Sequence, residues 1–208
     1  MSRNTVTRVA LGHAREMTKR AASRQTFGFV VAVVAAVPAL LGLTFTLDSS
    51  TVTYTASDPR DTWQGVAPLE DVRLTESPAG MAVTATLEPG RFDSGNFARD
   101  GNARFTVFNT GDFPTATLEG TLPLPEPLRA ATASGETTAT FRGTLSLHGV
   151  ARELTFPLTV VRDGARADAS GTFTVLLSDY GMTRPSLFGT TVNDRVDLSV
   201  ALTGEFAP

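Results

Sequence analysis

From Thr44 onward the chain alternates apolar and polar residues, the period of two imposed by an extended strand with one buried face. The run TFTLDSSTVTYTA places Phe45 and Leu47, then Val52, Tyr54 and Ala56, on one side. The pattern returns at Val72 and Leu74, at Met81, Val83, Ala85 and Leu87, and at Phe141, Gly143, Leu145 and Leu147. It continues through Leu154, Phe156, Leu158 and Val160, then Phe173, Val175 and Leu177, and closes with Val196, Leu198, Val200 and Leu202. Turn-forming stretches such as ESPAG, HGVAR and RDGARADASG separate the runs, with no helical period between them. The expected architecture is an all-β, single-domain antiparallel meander of about eight strands. Closing such a sheet into a barrel buries every apolar face and removes the exposed edges, so a barrel is preferred over a sandwich. The segment LPLPEPLRAATASGE, 122–136, has prolines at 123, 125 and 127 and reads as an extended loop between strands.

The period changes ahead of Thr44. Phe27 to Leu43 is a run of seventeen residues without a charge, preceded by six basic residues and one acidic. That order fits either a cleaved export signal or an uncleaved transmembrane anchor, and the length lies at the lower limit for a span. A small-residue cleavage site falls after Ala39, and translation from Met17 would leave an n-region of ordinary length. The expected organisation is a basic and apolar signal or anchor segment at 1–43 followed by a single β-domain at 44–206, placed outside the cytoplasm or on the outer face of the membrane.

Charge and composition narrow the function. Beyond the basic leader the chain carries twelve basic against twenty acidic residues and no lysine after Lys19, a poor counterion-releasing surface for nucleic acid. The absence of cysteine removes disulfides, thiolate catalysis and iron–sulfur ligation, and two histidines, His13 and His148, cannot build a multi-histidine metal site. The expectation is no metal and no catalytic residue.

No phosphate-cradling glycine loop or G-x-S-x-G elbow occurs. His148, in LHGV, reads as a turn residue making local backbone bonds. Asp93, Asp100 and Asp112 are interleaved with Arg91, Arg99 and Arg104 without metal-ligand spacing and read as a charge network fixing a long connection. The same stretch holds Phe92, Phe97, Phe105, Phe108 and Phe113, five of the thirteen phenylalanines within 22 residues. Loops keep so many large apolar side chains when they fold over something apolar: the barrel's own end, or a ligand inside it.

Several stretches together resemble the YceI-like polyisoprenoid-binding family. The opening TFTLDSSTVTYTA is similar to its first strand, and GNFARDGNARFTVFNTGDFPTATLEG to its central motif, with Arg99 and Asp100 followed by Phe113, Pro114, Thr115 and Ala116. GTLSLHGVARELTFPL resembles its G-x-L-t-l-H-G-v hairpin, and SDYGMTRPSLFGTTVNDRVDLSVALTGEF its closing segment. The resemblance covers roughly Thr44 to Phe206. Two features depart from it: the histidine often found early in the family is missing after the first strand, and the proline-rich loop is longer than usual.

The resemblance implies an exported lipocalin-like barrel that is not an enzyme and holds a long-chain isoprenoid lipid, a polyisoprenoid or an isoprenoid quinone, close to a membrane; a homodimer is the self-association to test for. Alternation assigns the interior to Phe141, Leu145, Leu147, Leu154, Phe156, Leu158, Phe173, Val175, Leu198 and Val200. Phe105, Phe108, Phe113, Tyr180 and Phe188 are expected near a barrel end, with Arg99 and Asp100 fixing the loop or meeting a polar head. The alternative is a membrane-anchored structural or interaction module whose barrel is filled by its own side chains.

Overall fold

A computed structural model describes residues 44–130, 132–187 and 189–207; the leader segment and Phe188 lie outside the described residues. The strands are β1 (Thr44–Ser57), β2 (Thr62–Ala67), β3 (Asp71–Ser77), β4 (Gly80–Leu87), β5 (Ala116–Leu122), β6 (Ser134–Leu147), β7 (Val150–Asp163), β8 (Arg166–Leu176), β9 (Ser186–Leu187), β10 (Thr190–Thr191) and β11 (Arg195–Ala207). Nine of them form one curled antiparallel sheet in the order β2-β1-β11-β8-β7-β6-β5-β4-β3, and β9 and β10 make a separate small hairpin. Among the described residues no helix is long and apolar enough to cross a membrane.

The expectation of about eight strands in a closed barrel needs correcting in two respects. Two strands of the sheet, β2 and β5, lie outside the expected runs: β2 has weak alternation of its own, and β5 alternates through Ala116, Leu118 and Leu122 with Gly120 in the same row. The hydrogen-bonded order is also open between β2 and β3. These two run in the same direction, because β2 pairs with Val52–Ser57 of β1 while β3 pairs with β4. Between them the Leu69 amide donates to Ser50 Oγ at 2.9 Å and the Glu70 amide to the Thr86 carbonyl at 2.8 Å, and β3 comes alongside β1 without joining it in a ladder. The sheet therefore nearly closes through one interrupted strand.

A second interruption lies between β7 and β8, whose ladder runs only from Asp163–Arg166 to Leu158–Gly171. Pro157 stands at its end, where a missing backbone donor suits a strand that is leaving its neighbour. Beyond it the wall is stitched by side chains: the Phe156 and Phe173 rings are 4.7 Å apart, and Arg152 Nε donates to the Asp179 carbonyl at 2.9 Å.

The inner face carries two apolar clusters. One holds Met81, Leu122, Leu124, Phe141, Phe156, Val160, Ala167 and Phe206 and closes one end of the sheet. The proline-rich connection contributes to this end, since it contains a short helix α2 (Glu126–Arg129) with Leu124 and Leu128 buried. Arg162, 2% exposed, locks it there by donating to the carbonyls of Leu128, Ala130 and Gly164. The other cluster includes Val52, Tyr54, Phe92, Leu145, Leu147, Val175 and Val196 and surrounds the opposite end.

Candidate functional site

Inward aromatic rings ordinarily fill a small curled sheet, but here several lie flat on its wall. Tyr54 stands across the ladder from Gly65 and its ring occupies the space of the absent side chain. The Phe141 ring covers the facing pair Gly120 and Gly143 in the same way. The space left over is a cavity of about 550 Å³, within the range of about 300–1,000 Å³ that small-molecule sites occupy. Along β11 it is lined from Val196 to Leu202, about 20 Å at roughly 3.4 Å per residue.

Nine of the ten residues assigned to the interior by alternation line this lumen: Phe141, Leu145, Leu147, Phe156, Leu158, Phe173, Val175, Leu198 and Val200. Leu154 does not. It sits opposite Gly143 and packs against side chains of both core clusters, so it belongs to the wall.

The five clustered phenylalanines divide. Phe92 and Phe108 cover the lumen, stacked at 5.9 Å, with the Tyr54 ring edge-on to Phe92 at 5.0 Å. Phe113 packs at 4.5 Å on His148 in the β6–β7 turn. Phe97 and Phe105 are 94% and 73% exposed, so neither plugs the end. Both lie on the same short helical segment, α1 (Phe97–Asn102) continued by a wide turn in which the Phe108 amide reaches back to the Ala103 carbonyl. Asn96 caps α1 by accepting from the Arg99 amide. This segment also supplies Ala98, Arg99, Asn102 and Ala103 to the lumen wall.

Tyr180 is 3% exposed and packs in the core beside the lumen, and burial pushes its phenol above the ordinary value. Burial, with Asp100 adding to it, raises the Tyr54 phenol likewise. His148 sits at φ +53 and its Nδ1–H donates to the Tyr180 carbonyl at 3.1 Å, the role of a turn residue. Asp100 accepts from the amide and hydroxyl of Ser94, Asp93 from the Gly95 amide and Asp112 from Asn109, which makes that acidic group a loop-fixing network. Asp100 does not line the lumen; Arg99 does.

The lumen reaches the surface beside α1, where its wall turns polar with Asp58, Asp61, Asn96, Arg99 and Asn102. Arg99 lies over the Trp63 ring, 4.8 Å from its centroid, with Asp61 at 3.8 Å. Reading from alternation passed over Trp63, Asp58 and Asp61, although Trp63 is the sole tryptophan of the chain and that alone marked it. Among the described residues no cluster of three or more histidine, cysteine or acidic side chains could hold a metal ion.

Two solved structures share the fold. A polyisoprenoid binding domain from Saccharophagus degradans implicated in plant cell wall breakdown aligns with a TM-score of 0.63 at 19% identity, over 80% of this chain and 98% of its own. BcnA from Burkholderia cenocepacia aligns at 0.61 and 19%, over 74% of this chain and 95% of its own. No curated protein matches the chain. The model of the YceI-like domain matches residues 23–204, nearly the whole sequence, and the chain belongs to that family.

Proposed function

We propose that the protein binds the hydrocarbon chain of a long isoprenoid or related lipid in its lumen, without chemical conversion, as an exported carrier or reservoir. The observation that carries this reading is the lumen itself, apolar along its length, closed at one end and open at the other. Each buried CH₂ contributes about 0.8 kcal/mol, so a chain of many carbons binds tightly with few polar contacts. The polyisoprenoid binding domain that shares the fold supports the choice of ligand class.

Work beside a membrane is part of the proposal. Phe97 and Phe105 stand exposed on the helical segment that walls the mouth, where insertion into a lipid surface would bring the lumen to its ligand. The basic and apolar leader supports export. Native mass spectrometry with organic extraction, on protein purified from a bacterial host, tests the reading. A stoichiometric isoprenoid is the expected result. Protein that is empty and also refuses added isoprenoids overturns it.

A further inference from the structure

The lumen ends at a common level on several strands. Its lining stops at Val83 on β4, Leu118 on β5 and Leu158 on β7, and the next side chains of the same rows, Met81, Leu122 and Val160, are buried and do not line it. Those three belong to the cluster of the closed end. At this level a band of rings crosses the wall, Phe141 at 5.1 Å from Phe156 and Phe156 at 4.7 Å from Phe173. The floor cannot sink cheaply. Beneath it Arg162 donates to the carbonyls of Leu128, Ala130 and Gly164 and lies on the face of Phe206, so opening the closed end would strand buried polar groups.

Two measures of the space above the floor agree. From Phe141 to Leu147 on β6, as from Val196 to Leu202 on β11, it is lined over about 20 Å at roughly 3.4 Å per residue. An extended isoprene unit advances about 5 Å, being a zigzag of four bonds of about 1.5 Å, so about four units reach from floor to mouth. The volume leads to the same length. An apolar cavity of about 150 Å³ holds one benzene, or about 25 Å³ per carbon, and at that density about 550 Å³ holds about 22 carbons. A longer chain that coils to escape the first limit meets the second.

We infer that the floor acts as a ruler, and that the lumen selects chains of about four isoprene units over longer ones, whatever head they carry. This rests on the lipid reading of the lumen and sets where the length of its ligand ends. Carbons beyond that length stay in water at the mouth and forfeit the burial that drives binding. The test presents the full chain with phosphatidylcholine vesicles carrying equal amounts of farnesol, geranylgeraniol, hexaprenol and solanesol, alcohols of three, four, six and nine units. The protein is then separated from the vesicles and its lipid identified by native mass spectrometry and extraction. Geranylgeraniol is expected as the main ligand, with hexaprenol and solanesol each at least about tenfold below it. In Val83→Phe, where a ring is added at the floor opposite Gly120, the ratio of farnesol to geranylgeraniol should rise at least about threefold. Hexaprenol or solanesol bound as fully as geranylgeraniol overturns the ruler and leaves the lipid reading standing. A folded Val83→Phe with an unmoved ratio overturns the floor as the measuring surface. If none of the four binds, from vesicles or on direct addition, the lipid reading itself falls. The wild-type series decides the matter even where the variant fails to fold.

Discussion

Tyr54 and Gly65 face each other across the β1–β2 ladder, and the tyrosine ring lies where a side chain at 65 would stand. That arrangement parks a large ring on the wall at the mouth, edge-on to Phe92. In Gly65→Val the ring has to swing off the wall, and the lumen is the nearest free space. The expected outcome is a loss of ligand retention out of proportion to the loss of stability, which should stay within the range of about 1–3 kcal/mol for overpacking. Thermal denaturation and extraction of bound lipid from the same preparation check both halves. Full retention with an unchanged melting temperature would mean that the ring has another place to go.

The same pairing explains which strands the sequence shows and which it hides. Strands β6, β7, β8 and β11 bring their own apolar side chains inward, so alternation marks them directly. β2 turns Gly65 and Ala67 inward beside Trp63, with the Tyr54 ring in the place at 65, whereas β5 does alternate, through Ala116, Leu118 and Leu122, and has only Gly120 in that row, where the Phe141 ring fills the place. A strand whose core-facing residues are small, with its apolar cover supplied by the next strand, leaves little period of its own. The aromatic cluster from Phe92 to Phe113 was legible as a group, but its division was not. Which rings turn inward depends on the wide turn after α1, a tertiary feature with no local signature. The departure of β7 from β8 was marked only by Pro157, whose consequence depends on its partner strand.

At the closed end, Arg162 spends its guanidinium on three backbone carbonyls and on the face of Phe206, 4.1 Å away. Burial lowers its pKa from the ordinary value, and the carbonyls offset that cost. In Arg162→Met the helix α2 and the β7–β8 turn lose their common donor and buried carbonyls are left unpaired. Loss of about 2–4 kcal/mol is expected by chemical denaturation, given about 1–3 kcal/mol for each stranded buried group. Arg162→Lys should recover part of it. A melting temperature unchanged in both variants would show that the proline-rich connection is held by its leucines alone.

Acid should loosen the connection at the mouth between Leu177 and Asp194. The hydroxyl and then the amide of Ser178, at 2.6 and 2.8 Å, hold the Asp194 carboxyl below the usual carboxylate range. A lowered folded pKa gives stability that is present above the unfolded value of about 3.9 and is lost as pH falls through the folded one. Asp168, held down by Thr203 and Arg166, and Asp197, held down by Arg195 and Thr174, act in the same direction. The expected outcome is that Asp194→Asn is less stable than the wild type at pH 7 and that the gap closes toward pH 3. A gap that stays constant across that range would assign the effect to packing instead of charge.

Filling the lumen should separate stability from binding. Phe156 makes a poor probe, because its ring packs at 5.1 Å against Phe141 and 4.7 Å against Phe173, so a charge there breaks the core before it reports on ligand. Val200 lines the lumen and is only partly buried. A phenylalanine at 200 extends into open space, adding apolar contact without the overpacking that a filled core imposes. Val200→Phe is therefore expected to keep or raise the melting temperature while reducing co-purified lipid, the reverse of the usual coupling between lost function and lost stability. Destabilisation by about 1–3 kcal/mol would instead be the signature of a core that was already full at that level. Retention of lipid at wild-type stoichiometry in a stable variant would place the ligand away from Val200.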